Sequence, residues 1–226
     1  MTGTRAIKIR PLASAEDLAG VLARLEAEDA ASLELLDPVA CAFLADAARA
    51  LDMRDGLPVI GEGADAVFQD FRLTAAIPDD HPVRDLTRRV GALTNRALDL
   101  MDPRPLPGRF AINDLIVQLY PKGSAGITAH RDHLRYTGLV LIVVVEGDGR
   151  FLVSSDRAGS DAREVAAAAG RMTVMRAPGF GGRRDRPFHA VTDVRGPRIC
   201  IGLRHDSRPL SWHEERRRAA AGGAGD

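Results

Sequence analysis

The chain has 226 residues, of which 45% are apolar and 27% charged, and its 31 basic side chains balance 31 acidic ones. That length can bury a core without disulfides or metal staples, and zero net charge gives no reason to expect a polyanionic partner. Cys41 and Cys200 have no recognisable pairing or metal spacing, the N-terminus "MTGTRAIKIRPLASAEDL" carries no apolar leader, and the longest apolar run, "GLVLIVVV" at 138–145, is far too short to span a bilayer. The expectation is a soluble cytoplasmic protein with no membrane partner.

From Ala13 to about Met53 the pattern predicts helix. Ser14 followed by Asp17, with Leu18, Val21, Leu22 and Leu25 spaced three and four apart, reads as a capped amphipathic helix. Pro38 to Leu51 reads as an alanine-rich second helix. Arg84 to Met101 reads as a third, with Leu86, Val90, Leu93, Leu98 and Met101 on its buried side. "DPRPLPG" at 102–108 then breaks the chain. Beyond it come short β-branched runs: 110–120, 137–145, 150–155, 171–177, 188–191 and 198–204, separated by "EGDG", "APGFGG" and "VRGP". Several such strands after a helical section predict an α+β protein in which helices buttress a β-sandwich or jelly roll. The boundaries that follow are a helical or lid region over 1–109, a core over 110–207 and a tail over 208–226.

Chemistry concentrates in the core. "ITAHRDHL" ends an apolar run, and on a strand residues i and i+2 share a face, so His130 and Asp132 can present an imidazole and a carboxylate to one point. His189, opening another short strand 59 positions later, is the natural third ligand. Two histidines and one carboxylate make the facial triad of non-haem iron(II) oxygenases, which leaves coordination positions open. The triad by itself does not settle iron against zinc. In "RICIGLR", Ile199, Ile201 and Leu203 share one strand face, and Arg198, Cys200, Gly202 and Arg204 the other. The arginine Cα atoms would lie about 20 Å apart at about 3.3 Å per residue. Reaching inward, the two cations can receive a short dicarboxylate, for which guanidinium is the preferred fork.

His130-X-Asp132, His189 and Arg198-X5-Arg204 together resemble the signature of the AlkB-like iron(II)/2-oxoglutarate dioxygenases, over roughly residues 110–207. The resemblance implies a double-stranded β-helix (jelly roll) core with an N-terminal helical section packed against it. It also implies an enzyme, an oxidoreductase, using iron(II), 2-oxoglutarate and O2, with His130, Asp132 and His189 on the metal. Where that family carries Asn-X-Tyr on the strand before the first histidine, this chain has Gln118-Leu119-Tyr120, the glutamine one methylene longer. By the same resemblance, Gln118 and Tyr120 assist the cosubstrate, Arg198 binds its distal carboxylate, and Arg204 lies nearer the metal.

For the substrate, aromatics are only 4% of the chain, and residues 1–109, the source of the family's nucleotide-recognition lid, hold no Trp or Tyr. Base demethylation needs stacking rings and a phosphate-binding surface, and the basic clusters "GGRRDRP" and "EERRRAA" read as solvated surface, although the first could line the entrance beside His189. The expectation is C–H oxidation of a small molecule, with decarboxylation of 2-oxoglutarate to succinate. AlkB-like demethylation of nucleic acid or protein is the alternative, and a non-enzymatic metal-dependent barrel a third class. Arg135 and Tyr136, just after the ligands, are candidates to grip a small anionic or amino-acid-like substrate.

Overall fold

Ser14 caps the first helix as its spacing predicts: its hydroxyl accepts from the Asp17 N–H and the Asp17 carboxylate accepts from the Ser14 N–H. The computed structural model describes residues 9–209, so the expected tail lies outside the described residues from 210 onward. Helix α1 (Ala15–Glu28) buries Leu18, Val21, Leu22 and Leu25, and ends at Asp29, whose φ of 62° turns the chain out of the helix. The continuous helical reading of 13–53 needs correction here. Strand β1 (Ala30–Glu34) separates α1 from α2 (Pro38–Arg49), which is capped by the Asp37 side chain. "AASLE" has no strong local strand preference, but every residue of it pairs with a partner between Arg171 and Met175, and such pairing overrides propensity.

Four more short strands follow: β2 (Arg54–Asp55), β3 (Val59–Ile60), β4 (Val67–Asp70) and β5 (Arg72–Thr74). The N-terminal stretch is therefore not helical throughout; it also supplies edges to the sheets. The third helix, α3 (Pro82–Asp99), starts two residues before the sequence pattern does, with the His81 side chain accepting from the Val83 N–H and proline in the first turn.

The predicted strands then appear as β6 (Asp114–Tyr120), β7 (Gly126–His130), β8 (Tyr136–Glu146), β9 (Arg150–Ser154), β10 (Arg163–Val165), β11 (Arg171–Arg176), β12 (Phe188–Thr192) and β13 (Arg198–Asp206). They form a seven-stranded sheet, β1-β11-β8-β13-β6-β5-β2, and a six-stranded sheet, β10-β9-β12-β7-β4-β3. All pairings are antiparallel. Strand β8 is apolar on both faces because both are covered. Leu139, Leu141 and Val143 join α1, α2 and α3 in one core, while Val140 and Val144 join Phe151, Val153 and Val191 of the smaller sheet in the other. Strand β13 divides the same way: Ile199, Ile201 and Leu203 pack toward the helices, and Cys200 faces the inter-sheet core. This is the α+β jelly roll with helices on its larger sheet, and it puts Arg198 and Arg204 on the face that looks across to β7 and β12.

Candidate metal centre

His130 and His189 are directly opposed in the β7–β12 register, and their rings lie 4.2 Å apart between centroids. Cross-strand pairing, more than chain proximity, brings these two imidazoles together. Asp132 is not on the strand, as the i, i+2 argument supposes: β7 ends at His130, and Asp132 lies beyond it. The turning chain nonetheless brings an Asp132 carboxylate oxygen to 3.9 Å from His189 Nε2. One ligating atom from each of His130, Asp132 and His189 falls within 4.8 Å of the others, the cluster of this kind found among the described residues.

The surroundings of each group set what it can offer a metal. His130 Nδ1 lies 2.9 Å from the Thr128 carbonyl oxygen, which can only accept, so Nδ1 is the donor there and Nε2 is the nitrogen left for a metal. His189 is buried and stacked against Phe151, and burial, followed by the neighbouring His130, pulls its pKa down to about 3. It is therefore neutral at ordinary pH, the form that ligates. Burial pushes the Asp132 carboxyl up, but His189, Arg204, His130 and Arg186 together outweigh it and hold it below the usual carboxylate range. Two imidazoles and a carboxylate form an N2O set that suits iron(II).

A narrow cavity of about 70 Å³ runs from this triad between the sheets to Arg198. That is room for about five ordered waters at about 10–15 Å³ each, the scale of one short dicarboxylate. Arg198 is 1% exposed, and none of its three guanidinium nitrogens has a hydrogen-bond partner among the described residues. Its guanidinium carbon lies 5.3 Å from the centre of the Tyr120 ring. A buried cation without an anion is costly, which makes this end of the cavity suited to a carboxylate. Gln118 and Tyr120 also line the cavity, in register with Cys200 and Arg198, and Cys200 Sγ donates to Gln118 Oε1 at 3.6 Å. The residues present therefore fit both an N2O-bound metal and a dicarboxylate.

Arg204 sits differently. It is the cross-strand partner of Asp114, which accepts from its Nε at 2.9 Å and lies 2.7 Å from its Nη2. Its Nη1 is 3.5 Å from Asp132 Oδ1, and its guanidinium carbon is 4.2 Å from the Tyr136 ring centre. Arg204 thus braces the Asp132 carboxylate. Arg135 is engaged by the fully buried Asp206 at 3.0 Å and by the Tyr136 hydroxyl at 2.8 Å, contacts that occupy both expected substrate residues. Sequence reasoning misses Asp114 and Asp206. Asp114 is within its reach: it shares the Ile116-Gln118-Tyr120 face of β6 by simple alternation. Arg186, which donates to the Asp132 carbonyl, reads in the sequence only as part of a basic loop. A larger hollow of about 400 Å³ between α2 and the end of β8, lined by Cys41, Ala45, Arg49 and Glu146, contains none of these groups.

No family model and no curated protein matches this chain. Solved structures do resemble it. A prolyl hydroxylase from Trichoplax adhaerens, in complex with a hypoxia inducible factor peptide fragment, superposes with a TM-score of 0.62 at 14% identity, covering 91% of this chain and 93% of that one. A Pseudomonas putida prolyl-4-hydroxylase gives 0.61 at 17% identity, covering 85% and 100%. OsALKBH1 gives 0.54 at 15% identity, covering 78% and 97%. The chain has the fold of the 2-oxoglutarate–iron(II) oxygenases. The similarity to OsALKBH1 touches the AlkB-like branch that the motifs resemble, and the other two similarities lie outside it.

Proposed function

We propose that this protein is a non-haem iron(II)- and 2-oxoglutarate-dependent dioxygenase that oxidises a C–H bond of a small molecule. The observation that carries the reading is the pairing of two incomplete sites across one cavity. Three ligating groups converge at one end, and a buried guanidinium without a counter-ion waits at the other. Iron(II), with 2-oxoglutarate and O2, would supply the oxidising chemistry, the cosubstrate leaving as succinate and CO2. His130, Asp132 and His189 would hold the metal facially. Arg198 would anchor the far carboxylate of 2-oxoglutarate, Gln118 and Tyr120 would flank it, and the apolar walls from Val140 and Phe151 would exclude water. Arg204, neutralised by Asp114, would keep the Asp132 carboxylate turned inward.

His130→Ala and His189→Ala are each expected to abolish succinate formation from 2-oxoglutarate, measured on iron-loaded protein. Unchanged turnover in both variants refutes the assignment. A second reading, oxidation of a peptide or a nucleic-acid base, draws support from the neighbours: one is a prolyl hydroxylase bound to a peptide fragment. Tight binding of single-stranded DNA that weakens steeply with salt would favour its nucleic-acid form.

A further inference from the structure

Resting on the oxygenase reading, we infer that the substrate is a small organic anion whose carboxylate or phosphate is received by Arg131 and Arg186 beside the metal centre. Both arginines are tied to the ligands. Arg131 lies between His130 and Asp132 in the chain, and its guanidinium carbon stands 4.0 Å from the centre of the Phe188 ring, the residue preceding His189. Arg186 donates through Nη1 to the Asp132 carbonyl oxygen. A third guanidinium, Arg157, lies 5.4 Å from the same Phe188 ring and donates to the Ala129 carbonyl at 3.0 Å.

Each of these groups is oriented by an uncharged partner, a ring or a carbonyl oxygen, although the charge of Arg186 is also felt by the Asp132 carboxylate. Among the described residues, the acid within ion-pair reach of the three is Asp65, 3.6 Å from Arg157 and 93% exposed. Arg131 and Arg186 have none within that reach, and the Asp132 carboxylate that Arg186 does feel is already shared with Arg204. Several arginines elsewhere are ion-paired: Arg176 is held by Asp29 and Asp185, Arg204 by Asp114, and Arg135 by Asp206. Like charges gathered without an anion repel, and guanidinium forks recognise carboxylate and phosphate by matched geometry. The cosubstrate does not account for them, because Arg198 already awaits its distal carboxylate. Phe68, whose N–H donates to the Thr128 hydroxyl on β7, and Leu134 are both more than half exposed, and offer apolar surface near the same strand end for the body of such a molecule.

The test is calorimetry on the full chain loaded with iron(II) and a fixed saturating concentration of 2-oxoglutarate, without O2. The probes are benzoate, octanoate and phenyl phosphate, each against its neutral amide or alcohol. At least one acid is expected to bind about tenfold or more tightly than its neutral partner. Arg131→Gln and Arg186→Gln should each weaken that acid about tenfold, the order expected for one lost charge-assisted contact. Arg131→Lys should recover part of the loss. Arg184→Gln, an exposed arginine on the same loop, should leave binding within about twofold, which separates a specific contact from a general field. Equal binding of acids and neutral partners, no acid binding, or an equal loss in Arg184→Gln overturns the inference. So does an unmodified ten-nucleotide single strand that outbinds every small acid with a steep salt dependence. A preceding titration with 2-oxoglutarate keeps the two readings apart: its failure sinks the oxygenase assignment, whereas its success with a charge-indifferent entrance sinks only this inference.

Discussion

Arg198 and Arg204 leave the same face of the same strand, six positions apart, and both are withdrawn from solvent, yet they stand in opposite circumstances. Arg204 lies against two carboxylates, Asp114 and Asp132, while Arg198 has no partner for any guanidinium nitrogen among the described residues. Residue type, strand and face are equal, so the difference lies entirely in what the neighbouring strands bring. At one end β6 delivers an aspartate, and the arginine becomes part of the scaffold. At the other it delivers Tyr120, which brings no charge, and on the proposed function the arginine would meet the cosubstrate. Removing a buried charge that the protein itself neutralises strands its partners, whereas removing one that has no partner strands nothing.

The contrast can be broken most forcefully at Arg204. Arg204→Met leaves Asp114 and Asp132 without their cation, and should destabilise the metal-free protein by about 3–5 kcal/mol, the usual cost of breaking a buried pair on one side. Denaturant unfolding would read it. Loss of less than about 1 kcal/mol would mean that the two arginines are equivalent after all. Arg198→Met reverses the outcome. Stability without ligand should hold or rise, since an uncompensated charge has gone, while affinity for 2-oxoglutarate should fall at least about 100-fold, roughly 2.8 kcal/mol at 1.4 kcal/mol per decade. Calorimetry and unfolding on one sample give both numbers, and a variant that loses stability but keeps its cosubstrate contradicts the assignment.

The gentlest test is pH, at the carboxylate-rich end of β13. Burial pushes Asp206 up, but Arg208 and Arg135 outweigh it and hold its pKa at about 2. The folded value lies below the unfolded one, so the stability it contributes is complete above about pH 4 and is lost as pH falls toward about 2. Asp206→Asn should therefore cost stability at pH 7, with the gap to the unsubstituted protein closing across that acid window. A gap that stays constant down to pH 2 would show that Asp206 acts by shape and not by charge.

Much of the site is legible in the amino-acid sequence. Alternation alone separates Arg198, Cys200, Gly202 and Arg204 from Ile199, Ile201 and Leu203, and the two cores observe that division residue by residue. The strand limits of β8, β9, β11 and β12 fall within a residue or two of their apolar runs, because β-branched runs bounded by glycine and aspartate leave few alternatives. The departures share one cause. Strand β1 reads locally as helix because its pairing with β11 depends on residues about 140 positions away. Asp132 follows the alternation of a strand that has already ended at His130. The ion pair of Arg135 with Asp206 has no local signal, because the two are 71 residues apart in the chain.

The sequence by itself determined which chemical groups the protein has and which face of each strand they occupy, since side-chain direction follows from backbone periods of two or 3.6 residues. Only the tertiary structure decided which of those groups are satisfied. Asp114 meets Arg204 across 90 residues, and His130 meets His189 across a strand boundary. Whether a charge is neutralised depends on distances of a few ångströms between segments that no local period connects.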